Sequence, residues 1–127
     1  MSHLRAGISL VALSVWLVAR ADPCENRVLS ELAAPSRNAR AVVFERSCGA
    51  TTGFSAQVSI LNASDALPES PGNIFDADSD KGAAKDMTVT VQWAAPHQLV
   101  VRYPARARVF RKETQANGVA VTYEIAP

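Results

Sequence analysis

Residues 40–60 read RAVVFERSCGATTGFSAQVSI, and this stretch decides the fold because it holds two strand patterns joined by a loop of small residues. From Phe54 to Ile60, apolar residues alternate strictly with polar ones, which is the period of a β-strand with one buried face. From Arg40 to Ser47, apolar residues occupy both parities, which is typical of a strand covered on both faces. The stretch therefore predicts two neighbouring strands.

Toward the C-terminus the chain continues as short strand patterns. Residues 87–93 and 119–125 alternate strictly, and residues 98–103 have apolar residues on both parities. Asn117-Gly118 predicts a tight hairpin, because both residue types tolerate positive φ. We therefore expect an all-β domain of about seven antiparallel strands in two meanders, forming a sandwich or one strongly curved sheet. The predicted strands are about 27–33, 40–47 and 54–61, and then about 87–94, 98–103, 107–115 and 119–125.

Between the two meanders lies a long acidic segment, residues 62–86, which contains six of the chain's 12 acidic residues together with prolines and glycines. It shows no periodicity, so we expect one long loop of the kind that is usually functional or disordered. Its apolar pair Ile74-Phe75 is expected to dock on the core.

The N-terminal segment, residues 1–21, has the three-part pattern of a secretory signal peptide. A basic start with Arg5 precedes 14 uncharged residues, 6–19, and small residues flank Arg20 before a cleavage point ahead of Asp22. As a helix, 14 residues reach only about 21 Å, which is short of a hydrocarbon core about 30 Å thick. We expect a signal helix that is cleaved, leaving residues 22–127 as a single domain. An uncleaved membrane anchor is the alternative.

Charge and composition exclude several function classes. The whole chain carries a net charge of +1, but removing residues 1–21 takes away two arginines and leaves 11 basic against 12 acidic residues. A near-neutral mature chain has no basic surplus for nucleic acid. With two histidines and two cysteines, the chain has few catalytic side chains. We expect no cofactor.

The two cysteines, Cys24 and Cys48, permit only one pairing, and in an exported protein an even count predicts a disulfide. The chain-entropy model gives such a link a stabilisation of about 3.5 kcal/mol. A reactive Cys48 thiol remains an alternative. Such a thiol would need a nearby base, and His97 is the only histidine in residues 22–127.

The stretch Ala41–Ile60, with its Cys48-Gly-Ala-Thr-Thr loop, resembles a family of small exported bacterial proteins of unknown function. Residues 72–75, 91–93 and 99–103 are similar to the family's later landmarks. The resemblance implies export and an all-β domain, and it supplies no activity. In this family a Pro-Asp-Gly turn often precedes the second strand, whereas this chain has Ser-Arg-Asn at 36–38.

Two groups of residues are candidates for binding a ligand. The small-residue loop, with Gly49, Thr51 and Thr52, could cradle an anion in backbone amides and hydroxyls, or it could be only a tight strand connection. The second group is a basic stripe that would meet an anionic surface or an acidic partner if it ran along one strand face, or that would protect an exposed strand edge. Its candidate residues are Arg102, Arg106 and Arg108.

Asp76, Asp78 and Asp80 are weak metal candidates, because they space three carboxylates as calcium loops do. The match then fails, since the sixth position is not glycine and the twelfth is Met87. A solvated acidic loop is the competing interpretation.

Together these observations predict an exported, non-enzymatic β domain that binds a partner or serves as a structural component of the cell envelope. The periplasm is the expected compartment, and a membrane-anchored form facing the periplasm is the alternative. The expected partner is an envelope protein or an anionic surface. Contact with a membrane is expected only through an uncleaved signal segment. The competing hypothesis is a thiol-dependent enzyme that uses Cys48.

Overall fold

The computed structural model of the chain describes residues 24–49, 53–79 and 87–127, and these residues form nine β-strands. Within these ranges there is no helix long and apolar enough to cross a membrane. The predicted signal helix, residues 1–21, lies outside the described residues. The strands are β1 (Glu25–Ala33), β2 (Ala39–Ser47), β3 (Phe54–Asn62), β4 (Phe75–Ser79), β5 (Thr90–Ala95), β6 (Gln98–Pro104), β7 (Ala107–Lys112), β8 (Gln115–Ala116) and β9 (Val119–Ala126).

The strands form two sheets. The first has five strands in the order β1-β2-β3-β4-β7, and all its neighbours are antiparallel. The second has four strands in the order β5-β6-β9-β8, in which β6 and β9 run parallel. The two sheets face each other across one core, so the molecule is a sandwich.

The core between the sheets is built from the alternating residues that the sequence pattern assigns to the buried face. Ala56, Val58 and Ile60 of β3 are buried and face Leu99 and Val101 of the second sheet. Phe75 of β4 is fully buried, and its ring centroid lies 5.2 Å from that of Tyr103 and 5.8 Å from that of Tyr123. Aromatic packing at these distances stabilises the contact beyond the area it buries.

Several predictions from the sequence are confirmed. The fold is all-β, and Ile74 and Phe75 are both fully buried. The turn at Asn117-Gly118 has φ values of 49° and 75° and joins paired residues Ala116 and Val119, which is a two-residue hairpin with positive φ at both central positions. Strand β2 is buried on both faces along its middle.

The C-terminal connectivity differs from the predicted meander. The region 107–115 divides into β7 and β8, and β7 leaves β6 to pair with β4 in the other sheet. A physical reason lies in the cross-strand pair of Asp78 and Arg108, which stand opposite each other and are joined by two hydrogen bonds. Opposite charges on facing strand positions favour this pairing. The place beside β6 is then taken by β9, in parallel.

Three further expectations are revised. Strand β3 was expected to have one buried face, but Gln57 and Ser59 on its other face are also buried, because the backbone N–H groups of Gly72 and Asn73 donate to them. Segment 62–86, which we predicted to be one long loop, contains β4 at Phe75–Ser79. Strand β6 was expected to be covered on both faces, but its residues alternate between buried and more exposed, with Arg102 exposed. It therefore behaves as a strand with one buried face.

The outer face of the five-stranded sheet is covered by residues 63–73, which we call the strap. Val42 and Phe44 are fully buried beneath it, and Leu67 of the strap packs on them. The Asn26 side-chain amide donates to the carbonyls of Pro68 (3.0 Å) and Ser70 (2.8 Å). The strap explains why β2 has apolar residues on both parities.

We expect Tyr123→Phe to lower the free energy of unfolding by about 1 kcal/mol. The Tyr123 hydroxyl lies 2.6 Å from the Glu113 carbonyl oxygen and 3.0 Å from that of Ile74, and it donates its one proton to this pair of acceptors. The Ile74 carbonyl also accepts from the Glu113 backbone N–H, so a phenyl ring removes the Tyr123 donor chiefly from the Glu113 carbonyl. Burial raises the pKa of Tyr123 to about 12, so wild-type stability should fall as the pH rises from about 10 to about 12. Urea unfolding at neutral and alkaline pH measures both effects.

Tyr103→Phe is the matched control. Its ring packs on the same Phe75, but no hydrogen bond from its hydroxyl is found among the described residues. An equal loss of stability in both variants would contradict the assignment of the effect to the Tyr123 hydrogen bonds.

Candidate functional site

Cys24 and Cys48 form the disulfide that the sequence predicts. The β1–β2 ladder pairs Glu25 with Ser47, so the two cysteines stand opposite each other one residue beyond it. Neither of the chain's two cysteines is a free thiol. The link ties the start of edge strand β1 to the end of β2.

Three connections lie at this same end of the sandwich, which we call the disulfide end. The β2–β3 connection begins at Cys48, the β4–β5 connection begins after Ser79, and the β6–β7 turn ends at Ala107, which pairs with Ser79. The described ends of these three connections, at Cys48–Gly49, Ser79 and Ala107, therefore lie at one end of the sandwich. Gly49 and Gly53 have φ values of +123° and +69°, a region that favours glycine. Thr51, Thr52 and Asp80 lie outside the described residues.

A row of polar side chains crosses the outer face of the five-stranded sheet just inside the disulfide end, and we call it the polar row. Arg46 is only 7% exposed, and its Nη1 donates to Asn26 Oδ1 at 2.8 Å. Ser55 stands opposite Arg46 in the β2–β3 register. A guanidinium group so deeply buried needs hydrogen-bond acceptors around it. The polar row consists of Asn26, Arg46, Ser55, Asp76, Asp78, Arg108 and Arg111.

Asp78 and Arg108 form the best-defined ion pair of the polar row. Arg108 Nε donates to one carboxylate oxygen at 2.8 Å and Nη2 donates to the other at 3.0 Å. This two-bond geometry fixes the relative position of β4 and β7. Both oxygens of Asp78 are thereby occupied by Arg108.

Asp76, on the same face of β4, lies in a less favourable environment. Its Oδ1 is buried, and no hydrogen-bond donor among the described residues reaches it. Burial raises the pKa of Asp76, and neighbouring Asp78 raises it further, while the charges of Arg111 and Arg46 and a hydrogen bond from Ser55 lower it. Arg111 donates to the Gly72 carbonyl of the strap at 3.0 Å. Burial therefore makes the charged form of the Asp76 carboxylate costly in the folded state.

A small pocket of about 90 Å³ opens at the disulfide end of the polar row. A pocket of this size suits a small polar group rather than a whole substrate. Its wall combines a buried guanidinium, a hydroxyl, a carboxylate and an exposed aromatic ring. The lining residues are Arg46, Cys48, Gly53, Phe54, Ser55 and Asp78.

The predicted basic stripe does not form one surface. Arg102 lies on the outer face of the four-stranded sheet, where its Nε donates to Glu124 at 2.7 Å. Arg106 lies in the exposed turn between β6 and β7, and Arg108 lies on the outer face of the other sheet. The turn at 105–106 carries the chain from one sheet to the other, and this crossing separates the three side chains. The part of the stripe on β7 fits the interpretation of charges that protect a sheet edge, because β7 is an edge strand whose neighbour β4 is acidic.

The weak metal candidates are not gathered by the described part of the chain. No group of three His, Cys, Asp or Glu side chains that could hold a metal ion is found in residues 24–49, 53–79 and 87–127. Asp76 and Asp78 share a face of β4, but Asp78 is bound by Arg108 and Asp76 is flanked by Arg111. These cations compete with any metal for the same oxygens.

Cys48 and His97 lie at opposite ends of the sandwich. His97 occupies the β5–β6 turn, where its carbonyl accepts from the Ala120 backbone N–H, whereas Cys48 lies at the disulfide end. The described residues therefore hold no Cys48–His97 pair.

Arg46, Asn26 and Ser55 were not among the residues that the sequence pointed to. Arg46 has the same strand parity as Val42 and Phe44, in a strand predicted to be covered on both faces. That placement was a signal for a buried charge. Nothing in the sequence signals Asn26, because its role depends on the carbonyl groups of the strap.

We expect Asp76→Asn to raise the free energy of unfolding at neutral pH by up to about 1 kcal/mol, because it removes a partly buried charge and supplies a donor. Since the pKa of Asp76 is raised in the folded state, the charge costs stability above that pKa and costs nothing once the pH is below about 4. The gain should therefore shrink as the pH falls toward 4. Thermal unfolding from pH 3 to pH 8 measures it.

Asp78→Asn is the control at the neighbouring position of the same face. It breaks the two-bond pair with Arg108, so it should lower stability or leave it unchanged. A loss of stability in Asp76→Asn at pH 7 would contradict the interpretation of Asp76.

No family model, no curated protein and no solved structure matches this chain.

Proposed function

We propose that this chain is an exported, non-enzymatic β domain of the cell envelope that binds a partner through its disulfide end. The observation that carries the proposal is the disulfide end itself, where a covalent link holds the ends of β1 and β2 beside a small pocket lined by Arg46 and Phe54. A rigid scaffold that presents several connections at one end is a common arrangement of binding domains.

Export is supported by two independent features. Disulfides form and persist in oxidising compartments outside the cytosol. The first 21 residues carry the pattern of a signal peptide. We propose the periplasm as the compartment, in accord with the resemblance to small exported bacterial proteins. A form that retains residues 1–21 and faces the periplasm as a membrane-anchored protein is the alternative.

The partner that we propose is an envelope protein or an anionic surface. Phe54 is an exposed aromatic ring at the pocket rim, and aromatic and arginine side chains are enriched where protein interfaces carry most of their binding energy. Arg106, in the turn at the same end, adds an exposed positive charge. We therefore expect a contact of modest size, in which a few side chains account for most of the binding affinity.

The competing function, a thiol-dependent enzyme using Cys48, is less well supported. A thiolate is the nucleophile in such enzymes, and Cys48 is joined to Cys24. The histidine that would activate it lies at the other end of the sandwich. A titration that finds two free thiols in correctly exported, unfolded protein would revive the enzyme hypothesis.

We expect the double variant Cys24→Ser, Cys48→Ser to lower the free energy of unfolding by about 2–4 kcal/mol, because the open chain gains conformational entropy when it unfolds. A reductant should shift the urea midpoint of the wild-type protein toward that of the variant and should not affect the variant. A variant that unfolds at the wild-type midpoint would show that the disulfide does not stabilise the fold.

A photo-crosslinking amino acid at position 54 tests the proposed function in cells that make the protein naturally. We expect a specific adduct with one envelope component. We also expect the mass of the purified protein to match a chain that starts at Asp22. The same substitution at His97, on the opposite end, is the control and should give no such adduct. Equal adducts from both positions, or recovery from the cytosol, would contradict the proposal.

A further inference from the structure

The exposed large apolar side chains of the described residues are concentrated on two strands. Val28, Leu29 and Leu32 lie on β1, and Val109 and Phe110 lie on β7, whereas only Phe54 and Ile125 lie elsewhere. Strands β1 and β7 are the two edges of the five-stranded sheet. Soluble proteins normally keep large apolar residues off unpaired sheet edges, because such edges attract other chains.

Each of these edges also contains a register irregularity with an apolar residue as its extra member. In β1 the register skips Leu29 between Val28 and Ser30, and in β7 it skips Phe110 between Val109 and Arg111. Leu29 is 49% exposed and Phe110 is 63% exposed. A bulge bends the strand and redirects the side chain of the extra residue. Both edges thus present an apolar side chain outward while weakening their own ability to pair as ladders.

The two edges carry opposite charge. Strand β1 contains Glu25 and Glu31 against one cation, Arg27, and Glu69 of the strap accepts from the Asn26 backbone N–H of that edge. Strand β7 contains three cations and no acid, and Arg106 precedes it. All three cations of β7 have partners within the molecule: Asp78 for Arg108, the Gly72 carbonyl for Arg111, and the Tyr103 and Tyr123 rings for Lys112. Glu31 of β1 likewise pairs with Arg40. The difference in sign between the edges nevertheless remains among the described residues.

We propose that copies of this chain associate head to tail, with the β7 edge of one copy against the β1 edge of the next. Phe110 packs on Leu29, the extra residue of the β1 bulge, with Val28 and Leu32 on either side of it along that edge, and the basic side chains of the β7 edge face the acidic side chains of the β1 edge. This proposal is independent of the partner proposed for the disulfide end.

The geometry of the sheet determines the kind of assembly. The two edges lie on opposite sides of a five-stranded sheet, about 19 Å apart at the usual strand spacing. When two copies join through two different edges, the pair still has one free β1 edge and one free β7 edge. Further copies can therefore add to the pair, and the assembly does not stop at a two-fold dimer. Because both edges are bulged, the contact rests on side chains rather than on a continuous hydrogen-bonded ladder, and it is weak and reversible.

Sedimentation velocity on oxidised protein made from the full-length coding sequence tests the proposal. Between about 10 µM and about 1 mM, the range expected for a weak contact, the average mass of the wild-type protein should rise steadily past that of a dimer. Leu29→Lys places a cation on the acidic edge, and Phe110→Glu places an acid on the basic edge. Each variant alone should stay monomeric.

Mixing the two variants separates head-to-tail association from other arrangements. Leu29→Lys keeps an intact β7 edge and Phe110→Glu keeps an intact β1 edge, so their mixture should associate although each variant alone does not. Ile125→Ser is the matched control, because Ile125 is 61% exposed but lies on β9 in the other sheet. Its association should equal that of the wild-type protein.

Three outcomes would overturn the proposal. The first is a wild-type protein that stays monomeric across the concentration range. The second is a single variant that still forms dimers by itself, which would indicate a two-fold contact. The third is a mixture of the two variants that remains monomeric while their circular dichroism and disulfide content match those of the wild-type protein.

Discussion

The burial of Phe75 against the two tyrosines of the opposite sheet is the contact on which much of the architecture depends. Phe75 reaches Tyr103 and Tyr123 only because β4 lies within the five-stranded sheet, between β3 and β7. Since side chains alternate along a strand, placing Phe75 inward turns Asp76 outward. Asp78 follows on the same outer face, and both carboxylates then stand opposite arginines of β7. One buried ring thus relates the core to the polar row and to the strand that crosses between the sheets.

The outer face of the five-stranded sheet shows how a small domain covers an apolar surface without adding another layer of secondary structure. The strap lies over Val42 and Phe44 and is held by hydrogen bonds from side chains of the sheet. Gly72 approaches so closely that an added Cβ would lie 2.7 Å from the Val58 carbonyl oxygen, so only glycine fits there. Toward the disulfide end this apolar cover gives way to the polar row, where buried Arg46 and half-buried Asp78 line the pocket. Polar groups held in a partly buried setting are more often found at functional sites than on plain surfaces.

Much of the fold could be predicted from local pattern. The strand at residues 54–60 and the Asn117-Gly118 turn depend on neighbours in sequence, and both are confirmed. The expectation that this strand has one buried face is wrong, because Gln57 and Ser59 are buried as well. The disulfide could be predicted because two cysteines allow a single pairing. The path of β7 could not, because its pattern fits a strand in either sheet and its partner β4, where Asp78 pairs with Arg108, lies far away in the chain. The basic stripe failed for the same reason, since a turn of two residues sent Arg102 and Arg108 to different sheets.

The sequence by itself determined the strand pattern, the cysteine pairing and the poverty of catalytic side chains, since each of these follows from residue type and local spacing. Only the tertiary structure decided which polar residues meet. Arg46, Asn26 and Ser55 lie on three different strands, and they come together because the sheet register sets them side by side. It also decided that Leu29 and Phe110 are exposed, because each is the extra residue of a bulge on an edge strand. Register and edge position arise from pairing between distant segments, which no local pattern specifies.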